Sequence, residues 1–172
     1  MVKVLFVCLG NICRSPMAEA IFRKLISERG LSGKVETASA GIKGWHVGKS
    51  PDRRTLEVLA EHDTETTHVG RKLAVEDFTA YDHIAVMDEA NFEAVYNFYY
   101  DNLHATPGAR KIFLIRDFDP DVRGVQEVPD PYYEDKKVFR KVYDILHKSC
   151  NALIDYLIDE HQLEPEQKDE PE

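Results

Sequence analysis

The stretch Val4-Leu5-Phe6-Val7-Cys8-Leu9-Gly10-Asn11-Ile12-Cys13-Arg14-Ser15-Pro16 carries the strongest signal for the fold. It begins with an apolar run containing two valines, which is typical of a buried parallel strand. Ser15 is a good helix N-cap, and Pro16 suits the first helical position, where no backbone N–H is needed. The stretch therefore predicts a strand, a short loop and a helix, in that order.

The predicted loop, Leu9 to Arg14, leads into a helix N-terminus, where backbone N–H groups and the helix dipole favour a bound anion. A cysteine close to a helix N-terminus and an arginine is held preferentially as its thiolate. Cys8 is accordingly predicted to be a nucleophile. Arg14 offers a planar fork that matches two phosphoryl oxygens. Together they indicate phosphoryl transfer through a phosphocysteine.

The string from Cys8 to Ser15 resembles the signature of the low-molecular-weight protein tyrosine phosphatases, and two further matches extend the resemblance to about Tyr156. It implies hydrolysis of phosphotyrosine proteins or small phosphomonoesters, with inorganic phosphate as product and no metal or cofactor. The phosphate-binding residues would be Leu9, Gly10, Asn11, Ile12, Cys13, Arg14 and Ser15. The alternative is that Cys8 is a small core hydrophobe, as a buried cysteine at a strand end commonly is.

A general acid is needed for the leaving group, and the candidate is Asp130 in Pro129-Asp130-Pro131-Tyr132-Tyr133. The flanking prolines restrict the backbone of this segment. An Asp-Pro pair alone is commonly a turn. The resemblance identifies Asp130 as the catalytic acid and Tyr132 and Tyr133 as an aromatic wall for the substrate ring.

The resemblance also implies an opposite wall, formed by Trp45 in the loop Gly44 to Gly48, and a supporting role for Ser39 and His68. His46 would contribute to specificity, and Ser15 would hydrogen-bond the sulfur. Asn11 tolerates a left-handed backbone and can tie loop ends together. Asp88, after the third predicted strand, is interpreted either as a partner that positions Arg14 or as a helix cap.

Strand and helix patterns alternate along the rest of the chain. Strands are predicted up to Cys8 and over 35–40, 82–87 and 111–115, and helices over 16–29, 53–62, 91–100 and 138–157, with a helical turn at 75–78. This order predicts an α/β fold: a doubly wound, four-stranded parallel sheet with helices on both faces, flavodoxin-like. Ligands of such sheets bind beyond the carboxyl ends of the strands, where Cys8 lies.

Length and charge bound the remaining possibilities. The 172 residues predict one domain over 1–160 and an acidic, disordered tail over 161–172. The net charge of −9 argues against nucleic acid or an anionic membrane as a partner. The three cysteines do not form an even disulfide framework, so a cytoplasmic location is predicted. Cys13 is close enough in sequence to form a reversible disulfide with Cys8 under oxidants, and Cys150 is predicted to be core.

Five other interpretations fit the sequence less well. Gly48-Lys49-Ser50 lacks the earlier glycine of a nucleotide-binding loop, since Lys43 stands there, so Ser50 and Pro51 are interpreted as a helix start. An arsenate reductase would need relay cysteines, and residues 64–102 contain none. A phosphoarginine phosphatase would carry threonine at the position of Ile12. A non-catalytic phosphate-binding module or an interaction protein using Tyr96, Tyr99 and Tyr100 would not need Cys8 and Asp130.

Overall fold

The computed structural model describes residues 1–124 and 126–166, in which four strands form one sheet with helices on both faces. The strands are β1 (Val2–Cys8), β2 (Val35–Gly41), β3 (His83–Val86) and β4 (Ile112–Leu114). The helices are α1 (Arg14–Glu28), α2 (Arg53–Ala60), α3 (Asp77–Ala80), α4 (Glu89–Leu103) and α5 (Lys136–His161), and a 3₁₀ turn spans Ile115–Phe118.

All strand pairs are parallel, and the strand order is β2-β1-β3-β4. β1 therefore lies at the centre, paired with β2 on one side and β3 on the other. In this register Cys8 lies opposite Gly41 and Val7 lies opposite Val86, so the carboxyl ends of the three strands meet at one edge. The predicted doubly wound parallel fold is confirmed.

Alternate residues of β1 pack on opposite faces of the sheet, as the two-residue period of a strand requires. Val4, Phe6 and Cys8 belong to the larger core, which is shared with α1 and α5. Leu5 and Val7 belong to the second core, on the face covered by α3 and α4. Because both faces are buried, β1 is apolar from Val4 to Cys8 rather than alternating.

Two predicted helix caps are wrong, although α2 begins at Arg53 as predicted. α1 begins at Arg14, one residue before the predicted cap, and its N-cap position, Cys13, makes no side-chain capping bond. The Ser15 hydroxyl is fully buried and contacts Asn11 and Cys8 instead. α2 is capped by Asp52, whose side chain accepts a hydrogen bond from the Arg54 N–H, and not by Ser50.

The C-terminal boundary also differs from the prediction. α5 continues to His161, and Leu163 packs against the larger core. The Glu166 N–H donates to the carbonyl of Gly30 at 2.8 Å. Residues 161–166 are thus attached to the body, because an apolar side chain and a backbone hydrogen bond hold them there. The rest of the predicted tail, 167–172, lies outside the described residues.

Two further observations concern membrane-spanning helices and the state of the cysteines. None of the helices within 1–124 and 126–166 combines the length and apolar character that crossing a bilayer requires. All three cysteines are buried and have free thiols, and Cys150 lies in the larger core as predicted. A cytoplasmic location remains a prediction.

Candidate active site

A cleft of about 190 Å³ opens at the carboxyl end of β1. It is lined by the loop between β1 and α1, by the segment after β2 and by the segment before α5. Its lining residues are Cys8, Leu9, Gly10, Asn11, Ile12, Cys13, Arg14, Trp45, His46, Asp130, Tyr132 and Tyr133. The fold thus brings together the signature loop, the Trp45 loop and the Asp130 segment, which are far apart in sequence.

Cys8 lies at the base of this cleft, and only 3% of its surface is exposed. Its Sγ accepts a hydrogen bond from the backbone N–H of Asn11 at 3.3 Å and lies 3.0 Å from the Ser15 Oγ. Asn11 adopts a left-handed backbone, with φ of 59°, which folds the loop back over the sulfur. Two hydrogen-bond donors can therefore stabilise a thiolate here.

The orientation of the Asn11 amide follows from its neighbours. Its Oδ1 accepts the backbone N–H of Arg71 at 3.0 Å, so its Nδ2 must be the donor toward the Oγ atoms of Ser15 (2.8 Å) and Ser39 (3.0 Å). The Ser15 oxygen thus acts as an acceptor for Asn11. Its own proton is left to donate to the sulfur of Cys8.

His68 and Glu19 complete this network. The Ser39 hydroxyl donates to Glu19 Oε2 at 2.6 Å, and His68 Nδ1 lies 3.0 Å from the same oxygen. His68 Nε2 lies 3.0 Å from Asn11 Oδ1, which is an acceptor. Both ring nitrogens therefore lie against groups of this network, which fits the predicted supporting role of His68.

Glu19 is a site residue that sequence reasoning missed. It is 4% exposed, and burial alone would raise the pKa of its carboxyl, but hydrogen bonds from His68 and Ser39 lower that pKa below its usual range. Its only sequence signal is an acidic residue at a position of α1 that faces inward. Such a position is normally apolar, so a buried acid there indicates a partner.

Arg14 is 3% exposed, and its guanidinium is held by Asp88, directly after β3, and by Val128, before α5. Its Nη1 donates to Asp88 Oδ2 at 2.7 Å and to the carbonyl of Val128 at 3.0 Å, which uses both N–H bonds of that nitrogen. The Nε and Nη2 nitrogens of Arg14 are therefore available to donate hydrogen bonds to a ligand. Burial alone would lower the pKa of Arg14, but Cys8, Asp88 and Asp130 outweigh it and raise that pKa further. Arg14 is thus held charged beside the sulfur.

Asp88 serves both roles that the sequence left open. One carboxylate oxygen accepts from Arg14, and the other accepts the backbone N–H of Asn91 at 2.7 Å, which caps α4. A single carboxylate therefore links the position of Arg14 to the start of α4.

Asp130 lies at the rim of the cleft, with 47% of its side chain exposed. Its Oδ2 is 3.6 Å from Arg14 Nη2, and its Oδ1 accepts the backbone N–H of Tyr132 at 3.1 Å. The ring of Tyr132 packs edge-on against that of Tyr133, with centroids 4.8 Å apart. These two exposed rings and the exposed Trp45 all border the same cleft.

The Trp45 loop is held by close backbone contact with Gly70. The Gly48 N–H donates to the Gly70 carbonyl at 2.9 Å, and the Gly70 N–H donates to the Lys49 carbonyl at 2.8 Å. A Cβ atom at Gly70 would overlap the backbone oxygen of His46. Only glycine allows the loop to approach this closely.

We expect Gly70→Ala to displace the Trp45 loop, because the clash is with backbone and not with a flexible side chain. Overpacking of this kind costs about 1–3 kcal/mol of unfolding free energy. The KM for aryl phosphates should rise, while inhibition by inorganic phosphate stays near that of the unmodified protein. Steady-state kinetics and denaturant unfolding measure both effects. Gly108→Ala is the matched control, since nothing lies within 4 Å of its Cβ position; equal behaviour of the two variants would contradict the expectation.

Cys13 differs from Cys8 in its surroundings. Burial, followed by the nearby charge of Asp52, raises the pKa of Cys13 well above its usual range. Cys13 is therefore held as a neutral thiol and does not compete as a nucleophile. A Cys8–Cys13 disulfide stays a prediction.

No three His, Cys, Asp or Glu side chains within 1–124 and 126–166 are grouped so that they could hold a metal ion. Reaction without a cofactor remains a prediction. The fold and the site define an α/β protein in which the loop between β1 and α1, at the carboxyl edge of a parallel sheet, brings together a thiol and an arginine.

Comparison with known proteins gives the family. Residues 3–166 match the model of the low molecular weight phosphotyrosine protein phosphatases. The low molecular weight phosphotyrosine protein phosphatase of Sus scrofa is 39% identical over 153 residues, which cover 89% of this chain and 94% of the relative. The chain belongs to this family, and as a member it is a hydrolase of the protein-tyrosine-phosphatase class.

Comparison with solved structures shows that related proteins share this fold. The crystal structure of YfkJ from Bacillus subtilis superposes with a TM-score of 0.84 at 37% identity, covering 93% of this chain and 96% of that one. A structure described as a Drosophila arginine phosphatase superposes with a TM-score of 0.80 at 33% identity, covering 90% of this chain and 97% of the other. The fold is therefore shared with a relative whose name gives a substrate other than phosphotyrosine.

Proposed function

We propose that this protein hydrolyses phosphotyrosine and small aryl phosphates through a phosphocysteine formed on Cys8. The observation that carries the proposal is the position of the Cys8 sulfur, between the Asn11 N–H and the Ser15 hydroxyl at the base of the cleft. Arg14 and Asp130 face the same cleft. A nucleophile, an anion-binding group and an acid are thus within one substrate length of each other.

Substrate binding would use the loop and Arg14. In the described part of the chain, no group accepts a hydrogen bond from the backbone N–H of Gly10, Ile12, Cys13 or Arg14, so these donors are available to phosphoryl oxygens. The Nε and Nη2 of Arg14 supply a planar fork. These groups also stabilise the charge that the equatorial oxygens carry in the transition state.

In the first step the Cys8 thiolate attacks phosphorus and the bond from phosphorus to the phenolic oxygen breaks. Asp130, in its acid form, gives its proton to that oxygen, so a neutral phenol leaves and the carboxylate remains. In the second step the Asp130 carboxylate takes a proton from water as the water oxygen attacks phosphorus. The S–P bond breaks, Ser15 donates to the departing thiolate, and inorganic phosphate is released.

The aryl preference rests on the lining of the cleft. Trp45, Tyr132 and Tyr133 present aromatic faces on which a phenyl ring can stack, and Ile12 adds an apolar side chain. A phosphoarginine substrate is the second candidate because of the Drosophila relative. A charged guanidinium gains less from the apolar Ile12 than a phenol ring does.

Substrate comparison tests this proposal. Phosphotyrosine, phosphoserine and phosphoarginine peptides of otherwise identical sequence are incubated with the purified protein, and released phosphate is measured. We expect kcat/KM to be highest for phosphotyrosine. A higher value for phosphoarginine would replace the aryl assignment, and no release from any of the three would refute phosphatase activity.

A further inference from the structure

The segment that carries Asp130 has little structure of its own. Residues 129–135 contain neither helix nor strand, and Asp130 and both tyrosines are exposed. Its internal hydrogen bonds are local: the Tyr132 N–H to Asp130 Oδ1, and the Glu134 N–H to the Pro131 carbonyl. A proton transfer needs the donor within hydrogen-bond reach of the leaving oxygen. A contact with residues outside the segment must therefore set its distance from the phosphate-binding loop, Leu9 to Arg14.

Arg54, on the first turn of α2, makes that connection. Its Nη2 donates to the carbonyl of Tyr132 at 2.9 Å and its Nη1 donates to the carbonyl of Glu134 at 2.5 Å. The guanidinium thus holds the backbone of the segment at two points on either side of Tyr133. Such a two-point contact restrains both the position and the orientation of the segment.

The guanidinium is itself held on two sides. Asp52 accepts from its Nε and Nη2, both at 3.0 Å, and the ring of Phe139 lies 4.3 Å from its central carbon. Asp52 in turn donates its backbone N–H to the carbonyl of Ile12 in the phosphate-binding loop, at 2.8 Å. A continuous path therefore runs from Ile12 through Asp52 and Arg54 to the Asp130 segment.

We propose that Arg54, anchored by Asp52, is a positioning residue that sets the place of Asp130 for proton transfer to the leaving group. This inference rests on the proposed function of Asp130. Arg54 does not line the cleft and acts only through the backbone of the segment. Lysine is a poor substitute, because a single ammonium cannot contact two carbonyls and a carboxylate with the geometry of a planar fork.

The neighbouring arginine supplies a matched control. Arg53 lies on the same turn of α2, has 89% of its side chain exposed and pairs with Glu57 of the same helix at 2.8 Å. Arg53→Ala removes the same charge at nearly the same place without touching the Asp130 segment. A difference between the two alanine variants therefore reports the contacts of Arg54 and not the loss of charge.

The test compares kcat/KM for phenyl phosphate, which has a poor leaving group, with that for p-nitrophenyl phosphate, whose leaving group needs less help from an acid. For Arg54→Ala we expect a loss of roughly 10-fold to 10²-fold on phenyl phosphate and a much smaller loss on p-nitrophenyl phosphate. Arg54→Lys should fall in between, and Arg53→Ala should match the unmodified protein. Inhibition by inorganic phosphate should be unchanged throughout.

An equal loss on both substrates, or no loss, would overturn the inference, since a merely structural role would not depend on the leaving group. If Arg54→Ala does not fold, Asp52→Asn replaces it, because asparagine keeps the helix cap but weakens the pairing with Arg54. Its expected effect has the same sign and is smaller, and an unchanged substrate ratio would again overturn the inference.

A double variant separates this inference from the proposed function. With Asp130→Asn already present, Arg54→Ala should cause no further selective loss on phenyl phosphate. If Asp130→Asn alone shows the selective loss and Arg54→Ala does not, only the role of Arg54 fails. If Asp130→Asn shows none, the role of Asp130 fails and the inference fails with it.

Discussion

Replacing Cys8 with serine is expected to reduce turnover by roughly 10⁴-fold to 10⁶-fold, as loss of a covalent nucleophile does in other enzymes. The reason is that a serine hydroxyl is not ionised at neutral pH and no base lies against it here: the neighbours of Cys8 Sγ are the Asn11 N–H and the Ser15 hydroxyl. Activity on p-nitrophenyl phosphate measures the loss.

Binding of phosphate should survive the same change. The loop N–H groups and Arg14 are untouched, and removal of the thiolate removes repulsion toward the bound anion. Trp45 is the only tryptophan and borders the cleft, so its fluorescence can follow phosphate or vanadate binding to Cys8→Ser. Retained binding with lost turnover would show that the binding site is intact and that only the catalytic step is lost.

Cys150→Ala is the control for Cys8→Ser. Cys150 is fully buried in α5 and does not border the cleft, so this change should lower stability and leave kcat/KM as it is. Acid quenching during turnover of labelled substrate should trap a phosphoenzyme in the Cys150→Ala protein and not in Cys8→Ser. Label on any residue other than Cys8 would exclude the proposed intermediate.

Asp130→Asn is the second large change. We expect kcat/KM for phenyl phosphate to fall by about 10²-fold to 10⁴-fold, the usual contribution of a positioned general acid. Asparagine keeps the Oδ1 acceptor for the Tyr132 N–H, so the turn should persist while the transferable proton is lost. The loss should be clearly smaller for p-nitrophenyl phosphate, whose leaving group is more stable as an anion.

Asp121→Asn is the matched control, because Asp121 also lies in the stretch before α5 but pairs with Lys148 on the surface at 2.8 Å. It should leave both kcat/KM values unchanged. Equal losses on the two substrates in Asp130→Asn would mean that the carboxylate only supports the segment. The acid would then have to be sought elsewhere in the cleft.

Much of the fold was predictable because it depends on local patterns. The apolar run ending at Cys8 predicts a central strand, and the regular spacing of apolar residues predicts α1 and α5. Helix starts were less predictable. At Ser15 the same hydroxyl can cap a helix or bond a sulfur, and the choice depends on whether Asn11 and Cys8 come close enough to engage it.

The candidate site was likewise predictable in part: its loop from the sequence, its supporting contacts only from the structure. The sequence by itself determined the loop from Cys8 to Ser15, since its strand, turn and helix start are encoded within a few residues and the proposed anion site is local. Only the tertiary structure decided what holds that loop: the Arg14 guanidinium meets Asp88, 74 positions away, and Val128, 114 positions away. Glu19, Asp52 and Arg54 acquire their contacts in the same way. Such contacts leave no periodic trace in the sequence, because they depend on where the sheet brings separate segments together.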